Sequence, residues 1–125
     1  MIEDYLAELK ALLTTSRIVK DIEIIDEFIT SVSGFLDCKI TLIDDSTLFF
    51  TEYSTSSKDK IFRDKYSFHW QKWDKMIIRW DNAPHHKEVS TFPYHMHKGE
   101  KVFKSDEMTL EKVLEVIEKE MGQEE

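Results

Sequence analysis

The chain has 125 residues, 41% of them hydrophobic, with three Gly, two Pro and one Cys. That suits one packed domain and excludes a disordered, collagen-like or disulfide-stapled chain. The formal net charge of −8 argues against nonspecific nucleic-acid binding by the whole surface.

The N-terminus, MIEDYLAELK, is acidic where a signal peptide is basic, and no apolar run approaches the roughly 20 residues a membrane span needs. A soluble, cytoplasmic protein with no membrane partner is expected. Ile2, Tyr5, Leu6, Leu9, Leu12 and Leu13 recur at helical spacing, which predicts a helix over 1–14. Thr14, Thr15 and Ser16 stop it. From Ile18 the period changes: Ile22 and Ile24 alternate with acids, then Ile25, Phe28 and Ile29 follow. A bulged strand is favoured over a short helix.

Ser31 to Gly34 reads as a turn. Cys38, Ile40 and Leu42 then alternate with Lys39 and Thr41, and 44–46 turns into an aromatic strand over 47–53. Residues 54–60, STSSKDK, are expected to form an exposed, mobile loop. Over 61–71, Phe62, Tyr66, Phe68 and Trp70 share one strand face, with Arg63, Lys65, Ser67 and His69 opposite. Lys72 to Lys75 turns the chain. Trp73, at that turn, either folds back on the sheet or anchors a partner. Met76 to Trp80 forms the next strand, 81–94 an ordered loop, and 95–103 a short strand near Val102 and Phe103. Thr109 caps a final helix over 109–121, striped with Leu110, Val113, Leu114, Ile117 and Met121. Gly122 is expected to end it and the tail 123–125 to fray.

The order helix, strands with short turns, helix predicts an α+β single domain over 1–125. The sheet and loop fill 18–103 as an antiparallel meander of about five to six strands, with both helices packed on one face.

Charge is unevenly spread. Residues 58–104 hold eleven Lys/Arg against six Asp/Glu, or +5; the rest holds six against nineteen, or −13. All five histidines and all three tryptophans fall in the positive window. Cys38 lies mid-strand and reads as a small core residue. His69, Arg79, His85, His86, His95 and His97 are candidate catalytic groups, because imidazole exchanges protons near neutral pH and Arg offsets phosphate charge. Trp70, Trp80 and Tyr94 are candidate stacking groups for unpaired bases, and Asp81 and Asn82 candidate binding groups that shape the turn before Pro84. The bland reading of His69 is a surface strand residue, and of His85 and His86 a structured loop.

His95 and His97 have H-x-H spacing, which on a strand aims both rings one way. A metal held by His85, His95 and His97, with Asp81 nearby, is therefore an alternative to metal-free chemistry, in which no cofactor is needed. No Gly-rich phosphate loop, nucleophile elbow or paired-carboxylate motif appears.

Residues 66–71 (YSFHWQ), 79–86 (RWDNAPHH), 91–97 (TFPYHMH) and 109–114 (TLEKVL) resemble the TumE family of small toxin–antitoxin proteins. The likeness covers roughly 60–120 well and the N-terminal half only in general pattern. It implies a toxin paired with a small antitoxin, often encoded nearby and often DNA-binding. It brings no assigned catalytic residues. The expected function is a toxin acting on RNA by metal-independent histidine acid–base chemistry. The alternatives are a noncatalytic binding module using a His/Trp surface, and a His-ligated metal domain. RNA and a second copy of the chain join the antitoxin as expected partners.

Overall fold

The computed structural model describes residues 1–123. Helix α1 (Ile2–Thr15) buries the stripe Ile2, Leu6, Leu9 and Leu13. Seven strands follow: β1 (Val19–Ile29), β2 (Ser33–Leu42), β3 (Thr47–Ser57), β4 (Lys60–Lys72), β5 (Lys75–Asp81), β6 (His95–Lys98) and β7 (Lys101–Lys104). They form one antiparallel sheet in chain order, a meander. Helix α2 (Leu110–Gln123) closes the described chain, and the Thr109 hydroxyl accepts the Lys112 amide 3.2 Å away as its cap.

The core is a two-layer sandwich. Leu36, Cys38, Ile40, Leu48, Phe50, Phe68, Trp70, Ile78 and Trp80 point to one side of the sheet and meet the α1 stripe and Leu110, Val113 and Ile117 of α2. Gly34 lets α1 sit down on β2, since a Cβ there would lie 2.9 Å from Ile2 Cγ2. Among the described residues, no helix lies on the opposite sheet face. Burial pushes the Cys38 thiol up to about 11, consistent with a packed side chain that is inert as a nucleophile.

The structure corrects several expectations. The strands number seven, because 95–103 is a hairpin of two four-residue strands around Gly99 (φ 62°), too short to show a period. Residues 54–60 are not a loop: β3 and β4 run on to a turn at Lys58 (φ 51°) and Asp59 (φ 63°). The segment after Ile18, by contrast, is the bulged strand expected there, with register shifts at 19/21 and 24/26. Trp73 (φ 59°) does not fold back; its side chain is exposed at the β4–β5 turn. Helix α2 continues through Gly122, and 124–125 of the expected frayed tail lie outside the described residues.

The largest correction is at Asp64. Pairing moves from Tyr53↔Lys65 to Ser54↔Arg63, so Asp64 is a bulge and every side chain before it changes face. Phe62 turns outward and Arg63 turns under the helices. There Arg63 Nε donates to Glu52 Oε1 at 2.9 Å and Nη1 to the Met108 carbonyl at 2.7 Å. The Tyr5 hydroxyl and Ser54 also donate to Glu52. This buried network ties α1, β3, β4 and the entry to α2 together.

Candidate active site

On β5, Arg79 and Asp81 share the helix-free face with His69 and Ser67 of β4. Register places His97 directly beside Arg79 and His95 beside Asp81 on β6. The intervening loop, 82–94, folds back over these residues. Its first turn is set by Asp81 and Asn82. Asp81 Oδ1 accepts the Ala83 amide at 3.0 Å, while Asn82 accepts the Tyr66 amide at 2.9 Å and reaches the Asp64 carbonyl at 3.3 Å. At its far end the Thr91 hydroxyl donates to the Tyr94 carbonyl and accepts the Ser105 amide. Val89, within the loop, is buried. His86 is thereby laid over the strand pair.

Three imidazoles converge. Ring centroids lie 4.7 Å apart for His86–His95, 4.9 Å for His95–His97 and 5.3 Å for His86–His97. Below them is the buried carboxylate of Asp81, 3.0 Å from His95 Nε2 and 3.8 Å from His97 Nε2. Arg79 Nε donates to its Oδ2 at 3.1 Å. His95 is buried, whereas His86, His97 and Arg79 are half-exposed and open to a ligand.

Hydrogen bonding restricts the tautomers. His95 Nδ1 lies 2.9 Å from the Pro93 carbonyl, which only accepts, so Nδ1 carries a proton. Its Nε2 then faces Asp81 Oδ1 at 3.0 Å. His86 Nδ1 faces Glu88 Oε1 at 3.2 Å, which likewise favours a proton there and leaves Nε2 free. Burial lowers the pKa of His97 from the ordinary imidazole value; Asp81 opposes this, and His95, His86 and Arg79 add to it.

One ring nitrogen from each of His86, His95 and His97 lies within 4.8 Å of the other two, so these three side chains could hold a metal ion. Nδ1 anchored to a carbonyl or carboxylate, with Nε2 turned inward, is the outer arrangement that metal-binding histidines use.

The structure thus brings together Arg79, Asp81, His86, His95 and His97. His85 is exposed and outside the cluster: of the adjacent pair, the loop turns His86 inward, so a three-histidine ligand set contains His86 where the sequence suggested His85. His69 stands one strand away beside Arg79, bonded to Gln71 at 3.0 Å, with its pKa lowered by burial and then by Arg79. Trp70 and Trp80 are in the core, because their strand parity faces the helices, and their rings are closed to bases. Half-buried Tyr94 stacks on Tyr66 with centroids 6.4 Å apart, and Asn82 clamps the loop. Sequence reasoning missed two supporting groups. Glu88 was signalled only by its spacing from His86; the Pro93 carbonyl, a backbone group, had no signal.

Among the described residues no helix is long and apolar enough to cross a membrane. The family model for toxin TumE matches residues 9–123. No curated protein and no solved structure gives a match.

Proposed function

We propose, from the premise that the chain belongs to the TumE family of toxins, that it cleaves RNA by proton transfer between histidines. Membership brings an antitoxin partner in general; the chemistry is our reading. The observation that carries it is the convergence of His86 and His97, both accessible, beside Arg79 and above the buried Asp81–His95 pair.

In this reading a phosphodiester sits against Arg79, with His97 and His86 on either side. His97, kept neutral by burial, takes the proton of the ribose 2′-hydroxyl as its oxygen attacks phosphorus. The P–O5′ bond breaks, and His86, entering the step as the imidazolium with Nδ1–H held by Glu88, gives its Nε2 proton to the departing 5′-oxygen. The products are a 2′,3′-cyclic phosphate and a 5′-hydroxyl end, so atoms and charge balance without an oxidant or cofactor. Arg79 offsets charge on the phosphoryl oxygens. Asp81 and His95 fix the positions of Arg79 and His97.

A second reading is a metal centre on His86, His95 and His97, favoured by the anchored Nδ1 atoms of His86 and His95. End-group analysis of single-stranded RNA incubated with purified protein, with and without EDTA, tests both. Cyclic phosphate ends formed equally in EDTA support proton transfer. Loss of cleavage in EDTA, restored by a divalent metal, supports the metal centre. Intact RNA across pH 5–8 at high protein overturns RNA cleavage.

A further inference from the structure

The end of the sheet opposite the histidines has a different chemistry. β1 is an edge strand, paired only with β2. Ile24, Ile25, Phe28, Ile29 and Val32, at 43–59% relative exposure, place five of the eleven exposed large apolar side chains among the described residues on nine consecutive positions. Isolated exposed apolar residues are ordinary, but a contiguous run beside free backbone edge groups marks an interaction surface.

Charge narrows the occupant. Lys20 is engaged by Asp45 at 3.0 Å and Glu27 by Lys10 at 2.6 Å. Asp21, Glu23 and Asp26 have no ion-pair partner among the described residues, and Asp26 lies directly opposite Asp37. Register sorts these side chains by face. Asp21, Glu23 and Asp26 share the open face with Phe28, while Ile22, Ile24 and Ile29 lie on the helix side. A second copy added antiparallel along β1 would oppose acids with acids, which destabilises a sheet pair. The edge is guarded against its own kind and unguarded against a basic strand.

We propose that β1 is the docking edge for the antitoxin. The occupant is an extended antitoxin segment with Lys or Arg on one face and apolar side chains on the other, added as an eighth strand. The inference rests on family membership and not on the RNA reading. β1 is four strand spacings from β5, about 19 Å, so such a segment does not touch His97.

The test is hydrogen exchange of the full chain, alone and with its cognate antitoxin, paired with titration calorimetry of Glu23→Lys/Asp26→Lys. The expected result is slowed exchange over 21–29 in the complex and binding weakened at least tenfold by the double substitution. An unchanged melting curve of that variant shows that its fold is intact. Exchange slowed only over 79–97, or affinity within twofold of wild type, overturns the proposal. So does a dimer of the chain alone that protects β1. The wild-type exchange result decides the matter if the variant fails to fold.

Discussion

The two ends of this sheet use the same backbone for opposite purposes. At the β5–β6 end, Arg79, Asp81, His95 and His97 face one another across a short strand pair, and a loop tied down at Asn82 and Thr91 covers them. Polar groups are concentrated there and mostly satisfied by one another. At the β1 end, exposed apolar side chains and carboxylates without ion-pair partners line an edge that no further strand covers among the described residues. The first end resembles a site assembled in advance; the second, a surface left for another chain to complete. Both hang on the middle strands, where the buried Glu52–Arg63 network fixes the helices to the sheet.

The largest effect is expected in that shared middle. Glu52→Ala strands the buried guanidinium of Arg63 and should cost about 3–5 kcal/mol of unfolding free energy, measured by urea titration. It should weaken RNA cleavage and antitoxin binding alike, whereas a loss confined to one end would show that the ends are not coupled through the network. Arg79→Ala separates them. RNA cleavage should fall about 10²–10³-fold, as when one charge-stabilising donor is removed, with antitoxin affinity unchanged by calorimetry.

Acid should act through the His69 neighbourhood. Burial and Arg79 hold its folded pKa below the ordinary value, so near that value the unfolded chain binds more protons than the folded one. This group therefore makes stability fall as pH drops below about 6.5 and level off above it. Melting temperatures at several pH values should show a shallower acid-side fall in His69→Gln than in wild type. The smallest effect is at Trp73: its exposed side chain packs on nothing that Ala would unmake, and Trp73→Ala should change stability by less than about 0.5 kcal/mol.

The two ends were unequally legible in the sequence. Helix stripes at 3.6-residue spacing and strands with strict alternation were readable because each repeats its signal several times. The site was readable as a set of residue types but not as a geometry. Choosing between His85 and His86 depends on backbone angles after Pro84 that residue identity does not dictate. The Asp64 bulge was invisible, since one unpaired residue leaves the alternation pattern intact while reversing the face of Arg63. Glu52 did leave a trace: it sits on the inward parity of β3, after Leu48 and Phe50, where an acid must find a buried partner. The β1 edge was not read as a surface at all, because its isoleucines look like core until the strand order puts them at an end.

The most direct measurement is the single-turnover rate of single-stranded RNA cleavage by wild type and His97→Ala, side by side in EDTA. Loss of a proton-transfer group predicts a fall of about 10²–10⁴-fold with the melting curve retained. Equal rates in the two proteins would contradict the role assigned to the histidine cluster.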